Sequence, residues 1–274
     1  MKKTLCALMA SVMALSLLAG CGSDSGKDAA SASPAASAKP AVTKKDDLAN
    51  ARIAVQESTT GDIYVTDEYP DAKISRFKSA LDAGMDLKNG KVDAFVIDEL
   101  PAKTIVEKNP SLKILDEEFT KEEYAIAMKK GNTELVNKVN DILAAMKADG
   151  RFETITKAFI EKDEEALAKL KALPEPTGSE TLIMGTNASF PPFEYRDDSG
   201  EVAGFDVEMA KEIARVLGMS FKVEDMNFDS LPVAVSSGKI TMAVAGMTVT
   251  DERKENVDFS DGYYTSTQVI MVQK

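Results

Sequence analysis

The stretch that decides the fold reads Ala245-Gly246-Met247-Thr248-Val249-Thr250-Asp251-Glu252-Arg253-Lys254. It leaves an apolar strand pattern and enters a helical one, and such junctions are typical of α/β sheets. Gly246 at the strand end lets backbone amides approach an anion, and Thr248 offers a hydroxyl. Arg253 can bind a carboxylate through two parallel charge-assisted hydrogen bonds. An arginine after a strand can equally form a surface ion pair, so the stretch alone leaves both roles open.

Short apolar runs alternate with helical patterns along most of the chain. We predict strands at 52–56, 73–77, 93–98, 124–128, 181–185, 221–223, 240–245 and 268–272, and helices after Gly61 and at 79–87, 99–108, 135–149, 152–160, 164–173 and 206–217. The last helix has Asp206 as a plausible N-cap and Gly218 as a plausible C′ residue. Alternation of this kind predicts the α/β class, with helices on the faces of a sheet. The run Pro174-Glu175-Pro176-Thr177-Gly178 predicts a connector, after which a second α/β unit includes the last three strands.

The N-terminus has the pattern of a secretory signal. Met1, Lys2 and Lys3 precede an uncharged apolar stretch, Leu5–Leu18, which is too short for a membrane-spanning anchor. The following Leu18-Ala19-Gly20-Cys21 resembles the bacterial lipobox, which predicts lipidation of Cys21 and an extracytoplasmic protein anchored to the cell membrane. Residues 21–47 are rich in Ser, Ala, Gly, Pro, Lys and Asp and predict a disordered tether.

The composition excludes several classes of function. The chain has 33 Lys and Arg residues against 45 Asp and Glu residues, a formal net charge of −12, and no histidine. Nucleic acid is therefore an unsuitable partner, and the usual zinc and copper ligand sets and histidine-dependent catalytic triads are absent from the sequence. The two cysteines are Cys6, which would leave with the signal, and Cys21, so no disulfide framework is expected. We expect no cofactor and no bound metal.

Several motifs together resemble the polar amino-acid family of bacterial extracellular solute-binding proteins (family 3). They are Gly185-Thr186-Asn187-Ala188-Ser189-Phe190-Pro191-Pro192-Phe193-Glu194-Tyr195, Gly204-Phe205-Asp206-Val207, the Thr248 to Arg253 stretch, Gln56-Glu57-Ser58-Thr59-Thr60-Gly61 and Asp93-Ala94-Phe95-Val96-Ile97-Asp98. The resemblance implies a two-lobed periplasmic-binding-protein-like fold (type II), with a ligand cleft between the lobes.

The resemblance also implies roles for individual residues. Arg253 would bind the α-carboxylate of an amino acid, with help from the Thr248 hydroxyl, the Gly246 amide and Thr60. Thr59 and Thr60 should open a helix, where unpaired amides favour an anion, although a simple N-cap is the alternative. Asp98 would pair with the α-ammonium, or cap the helix that starts beside it.

Other positions bear on the choice of ligand. Phe190 and Phe228 match family aromatics that pack on the ligand side chain, although as isolated residues they could be core. Asn187 and Gln56 lie where related proteins select among side chains, and both are neutral hydrogen-bonding groups, which favours a polar ligand. Ser58 replaces the glycine usual in the family.

The motifs stand in the reverse of the usual family order, which predicts a circular permutation. We divide the chain into a lipoprotein signal peptide (1–20), the tether (21–47), the family's second lobe (48–127) and its first lobe (128–274), in which 161–180 is the connector that joins the ancestral termini. This arrangement predicts one covalent crossing between the lobes, and it places Lys274 beside the 48–52 segment at the hinge.

The function implied is that of a non-enzymatic capture protein. It would be a monomer that binds a polar or cationic L-amino acid by lobe closure and delivers it to the permease of an ABC-type importer. One alternative is a small-molecule lyase or dehydratase on the same scaffold, since a fold does not fix a function. The other alternative is a sensor lipoprotein that presents its ligand to a receptor.

Overall fold

The computed structural model describes residues 41–274, apart from the side chain of Glu118. The predicted signal peptide, Cys21 and most of the predicted tether lie outside these residues. The strands are β1 Arg52–Gln56, β2 Lys73–Phe77, β3 Ala94–Asp98, β4 Leu112–Tyr124, β5 Ala127–Lys129, β6 Thr181–Thr186, β7 Ser189–Phe190, β8 Glu194–Arg196, β9 Val202–Ala203, β10 Ser220–Asp225, β11 Met242–Ala243, β12 Val257–Phe259 and β13 Tyr264–Gln273. The helices are α1 Thr60–Glu68, α2 Ala80–Lys88, α3 Glu99–Lys108, α4 Thr133–Asp149, α5 Arg151–Phe159, α6 Glu164–Lys171, α7 Phe205–Leu217, α8 Leu231–Ser237 and α9 Asp251–Asn256, with 3₁₀ helices at Lys45–Asn50 and Phe228–Ser230.

The family's second lobe, called lobe 2 below, is built on a five-stranded sheet with the order β2-β1-β3-β13-β4. The family's first lobe is called lobe 1. β1 is parallel to β2 and β3, and β13 is antiparallel to β3 and β4. The apolar runs of β1 and β3 are buried almost throughout, as central strands covered on both faces require. Their carboxyl ends carry Gln56 and Asp98, which therefore lie at one edge of the sheet.

Lobe 1 contains a second five-stranded sheet with the order β10-β6-β11-β5-β12, and a small sheet of β7, β8 and β9. Helix α7 has an apolar face that packs into the core through Phe205, Met209 and Ile213, and it ends at Gly218, which adopts a left-handed conformation. The predicted N-cap is wrong, because Gly204 occupies that position and Asp206 is a buried first-turn residue.

Two chain segments connect the lobes. One runs from Tyr124 of β4 to Ala127 of β5, and the other from Phe259 of β12 to Tyr264 of β13. The predictions of one crossing and of a first lobe that reaches residue 274 are therefore wrong. The reason is that β13 pairs between β3 and β4 and so completes the sheet of lobe 2. Sequence periodicity identifies β13 as a strand but does not say which sheet it joins.

The last strand ends far from the cleft. Met271 lies opposite Phe95 of β3, whose other neighbour is Ala54 of β1. The final residues therefore share one end of the sheet with Arg52, and β3 lies between them. This end is opposite the carboxyl ends of β1 and β3, so the predicted position at the hinge is also wrong.

The predicted tether extends too far along the chain. Val42 is buried, and it packs with Leu48, Ile53 and Val272 in a cluster beneath the sheet of lobe 2. The Asp47 carboxylate accepts hydrogen bonds from the amide and hydroxyl of Thr43. Residues from Val42 onward thus belong to the folded lobe. Within residues 41–274, every helix is too short or too polar to span a bilayer.

Candidate functional site: a charged cleft between the lobes

All ten residues that the sequence predicts for the ligand site line one cavity between the lobes. The cavity is nearly closed, with a free volume of about 10 Å³, which is room for about one water molecule. Its lining consists of Gln56, Thr59, Thr60, Asp98, Asn187, Phe190, Phe228, Gly246, Thr248 and Arg253, together with Glu194 and Ala245. Lobe 2 contributes the ends of β1 and β3 and the start of α1. Lobe 1 contributes the loop after β6 and the segment that leads from β11 into α9. Ligands of open α/β sheets bind at such strand ends.

Arg253 is a partly buried cation at the edge of this cavity. The Thr250 side chain caps α9 by accepting a hydrogen bond from the Arg253 amide. The guanidinium donates to the Thr248 carbonyl at 2.7 Å and to the Ser58 carbonyl of the other lobe at 2.8 Å, and it lies 5.3 Å from the centre of the Phe228 ring. Within residues 41–274 no carboxylate lies within ion-pair distance of it. Burial lowers the pKa of Arg253.

Asp98 supplies the opposite charge from lobe 2. It follows the buried run of β3 and is itself buried, and its carboxylate accepts a 2.5 Å hydrogen bond from the Tyr124 hydroxyl. It occupies the N-cap position of α3 but makes no capping hydrogen bond there. Burial, and then the charge of Glu122, raise the pKa of Asp98 to about 7. In the described part of the chain no lysine or arginine lies within ion-pair distance of Asp98, so a buried carboxylate faces the cavity without a cation.

The two threonines expected at the carboxylate end bind a residue that sequence reasoning missed. The hydroxyls of Thr60 and Thr248, one from each lobe, both donate to Oε2 of Glu122 at 2.6 Å. Glu122 is buried, and Oε1 of the same carboxylate is buried without a hydrogen-bond partner in the structure. Thr59 is the N-cap of α1, as one alternative predicts, because its side chain accepts from the Asp62 amide.

Gly246 differs from the expectation in one respect. Its amide donates to Oδ2 of Asp206 at 2.9 Å, and the same oxygen accepts from the Tyr263 hydroxyl. The amide is therefore not available to a ligand carboxylate. A Cβ at Gly246 would lie 2.9 Å from the Phe190 ring, and its φ of +53° is left-handed, so the position requires glycine. Glu194 lines the cavity beside it, and burial together with Asp206 raises its pKa well above the ordinary value.

Polar contacts close the cleft on the side where a ligand side chain would lie. The Gln56 amide donates to Oδ1 of Asn187 across the lobes at 3.0 Å, and the Ser189 hydroxyl donates to the same oxygen. The rings of Phe190 and Phe228 are both buried against this region. These contacts place two neutral amides and two aromatic rings next to the charged groups.

The missed acids had a weak signal in the sequence. Glu122 lies in Lys121-Glu122-Glu123, which looks like a solvated charged run. The clue was its spacing of two from Tyr124, because alternate residues of a strand point to the same face. Glu194 and Asp206 were quoted within motifs, but the role of each as a buried acid depends on a contact across 12 residues. Within residues 41–274 no group of three or more acidic or cysteine side chains is arranged to hold a metal ion.

Comparison with known proteins finds a family match over part of the chain. Residues 182–274 match the family model described as bacterial extracellular solute-binding proteins, family 3. The arginine-binding extracellular protein ArtP of Bacillus subtilis is 46% identical over 98 residues, which are 36% of this chain and 38% of that protein. A probable histidine-binding protein of Neisseria gonorrhoeae is 36% identical over 103 residues, which are 38% of each protein. The chain thus spans less than two fifths of the length of these relatives.

A solved structure shows the same partial match. The crystal structure of the arginine-bound form of domain 1 from TmArgBP is 44% identical, and the match covers 34% of this chain and 80% of that one, with a TM-score of 0.31. The fold and cleft described above define a two-lobed α/β protein with a cavity between the lobes. Residues 182–274 are similar to the bacterial extracellular solute-binding proteins of family 3.

Proposed function

We propose that the protein binds an L-amino acid in the cleft by contacts from both lobes. The observation that carries this proposal is the separation of charge across the cavity, with Arg253 on lobe 1 and Asp98 on lobe 2. Each lacks an oppositely charged partner among residues 41–274, and isolated buried charges are costly. A zwitterion supplies a carboxylate to one and an ammonium to the other. Contacts that need both lobes also provide the free energy for closure.

A cationic side chain suits the surroundings best, and arginine is the first candidate. Asp98 lines the cavity and Glu122 binds two of its threonines, so two carboxylates accompany the one guanidinium there. Aromatic faces such as those of Phe190 and Phe228 bind guanidinium groups. A wider groove lined by four acidic and two basic side chains adjoins the cavity through Phe228 and Arg253. Relatives described as binding arginine, histidine or cystine support a polar or cationic amino acid as the ligand.

Calorimetric titration tests the ligand class. We expect saturable 1:1 binding of L-arginine, weaker binding of L-glutamine, and no binding of L-glutamate, whose additional negative charge is repelled by the excess of carboxylates at the site. Thermal shift against the other amino acids, ornithine and citrulline completes the survey, because a ligand that binds only the native state raises the melting temperature. Glutamate binding more tightly than arginine would contradict the cationic ligand, and no binding of any amino acid would contradict the function.

The biological role proposed is delivery of the amino acid to an ABC-type permease by a monomeric lipoprotein. Arg253 and Asp98 suit binding of an intact zwitterion, and we therefore expect no turnover of the ligand. A lyase remains the alternative to test, and chromatographic recovery of unchanged arginine after long incubation distinguishes the two. A sensor role would be indicated by a receptor that binds only the ligand-loaded form.

The membrane attachment is a separate proposal, based on the lipobox-like sequence before Cys21. Incorporation of labelled palmitate into the intact chain, and its loss in Cys21→Ala, would support it. Labelling that persists in Cys21→Ala would overturn it.

We also propose a circular permutation in a revised form, with its break inside lobe 2. The C-terminal end of β13 and the start of β1 lie at the same end of one sheet. A circular permutation requires that the chain termini it joins lie close together. A linear family match confined to 182–274 agrees with this order. A variant that joins residue 274 to residue 42 and opens the connector at 174–178 should fold and bind arginine.

A further inference from the structure

Glu122 is a buried carboxylate that does not itself line the cavity. It lies in β4, next to the first crossing between the lobes. Its Oε2 accepts the Thr60 hydroxyl of lobe 2 and the Thr248 hydroxyl of lobe 1, each at 2.6 Å. These are charge-assisted hydrogen bonds, which are shorter and stronger than neutral ones.

A threonine hydroxyl has one proton and two lone pairs. When that proton is donated to Glu122, the oxygen cannot also donate to a ligand and can only accept. Gln268 donates to the Thr60 oxygen at 3.3 Å, and one further lone pair of that oxygen remains. Both threonines line the cavity that Asp98 also lines. The carboxylate therefore decides which hydrogen-bonding character the two threonines present to the ligand.

We propose that Glu122 is a positioning residue that turns Thr60 and Thr248 into acceptors for the ligand ammonium. The site then has an ammonium end formed by Asp98 and the two threonine oxygens. Its carboxylate end is formed by N–H donors, chiefly the Arg253 guanidinium. The charge of Glu122 also acts in this direction, because it lies near enough to Asp98 and Arg253 to influence the pKa of each. This inference rests on the proposed binding of an amino acid.

The test uses three related ligands: L-arginine, the amine left when its α-carboxylate is removed, and the acid left when its α-amino group is removed. In Glu122→Leu no acceptor remains at this position, so both hydroxyl protons are released. We expect calorimetry to show about a tenfold or greater loss of affinity for arginine and for the amine. The des-amino acid should change by less than about threefold. Glu123→Leu is the matched control, because Glu123 is the exposed neighbour on the same strand.

An equal loss for all three ligands would indicate a merely structural role and overturn the proposal. So would a loss confined to the des-amino acid, since the hydroxyl protons would then serve the carboxylate. Thr248→Val provides a second test if Glu122→Leu does not fold, because it removes the threonine oxygen without removing a charge. It should weaken the amine and leave the des-amino acid unchanged.

A measurement without ligand separates this proposal from the proposed function. In a double-mutant cycle of Glu122→Leu and Thr248→Val, the effects on the urea midpoint should be strongly non-additive if the hydroxyl donates to the carboxylate. Additive effects would overturn the inference even if arginine binds. If no amino acid binds but the cycle is non-additive, the proposed function fails and the hydrogen-bond assignment stands.

Discussion

The two lobes hold their charged groups in different ways. On lobe 1, Arg253 is partly exposed and is positioned by backbone carbonyls and a capped helix. On lobe 2, Asp98 is fully surrounded by protein and has another carboxylate, Glu122, as its neighbour. A guanidinium keeps its charge at any pH at which the protein is folded, whereas a buried carboxylate does not. The lobe 1 end should therefore be insensitive to pH and the lobe 2 end sensitive.

The largest expected effect on ligand affinity comes from substitutions of Arg253, at the lobe 1 end of the site. Arg253→Lys keeps a positive charge but loses the planar group that donates to a carboxylate and to the Ser58 and Thr248 carbonyls. Loss of a buried charged contact costs about 2–5 kcal/mol, so arginine affinity should fall by roughly 30-fold or more. Arg253→Ala should bind still more weakly. Calorimetry checks both, and wild-type affinity in Arg253→Ala would remove this residue from the site.

Asp98→Asn tests the lobe 2 end and should have the next largest effect. The variant keeps the shape but loses the charge that faces the ammonium, so arginine affinity should fall strongly. Affinity for the des-amino analogue should fall much less, because that ligand brings no ammonium. An equal loss for both ligands, measured by the same titration, would assign Asp98 a structural role.

The pH dependence sharpens the contrast between the lobes. Because the pKa of Asp98 is raised to about 7, ammonium binding requires loss of a proton below that pH. Arginine affinity should therefore decrease by up to about tenfold per pH unit below pH 7, and Asp98→Asn should flatten the profile. A wild-type profile that stays flat from pH 5 to pH 8 would contradict this account.

Stability should depend on pH with the opposite sign. Burial raises the pKa of Asp206 to about 6, as it raises that of Asp98 to about 7, and both lie above the ordinary 3.8. The folded state binds these protons more tightly than the unfolded state. The resulting stabilisation is complete below pH 4 and is lost as the pH rises through 6 and 7. Bound arginine is expected to offset this loss of stabilisation only for Asp98, because only Asp98 would face the ligand ammonium.

The sequence predicted one part of this molecule better than another. It predicted the carboxyl ends of β1 and β3 correctly, since runs such as 94–98 must be buried and place Asp98 at the sheet edge. The resemblance then selected residues that do line one cavity. It could not predict that β13 joins lobe 2, because an apolar strand fits either sheet. It also could not predict Glu122 or the Gly246 to Asp206 contact, which depend on packing between distant segments.

The smallest expected effect concerns Ser58, whose carbonyl links lobe 2 to Arg253. Ser58 has a φ of +64°, a left-handed conformation that costs a residue with a Cβ about 1–2 kcal/mol. Ser58→Gly removes this strain but loses about 0.5–1 kcal/mol through the greater freedom of the unfolded chain. The net gain in the free energy of unfolding should be about 0.5–1 kcal/mol, measured in urea. The carbonyl acceptor and the amide bond to Asp62 are backbone groups and remain, so arginine affinity should change by less than about threefold. Ser79→Gly is the control of opposite sign, because Ser79 caps α2 at an ordinary negative φ and its loss should cost a few tenths of a kcal/mol. Destabilisation by Ser58→Gly equal to that of Ser79→Gly would mean that the serine side chain, not the backbone, holds this link between the lobes.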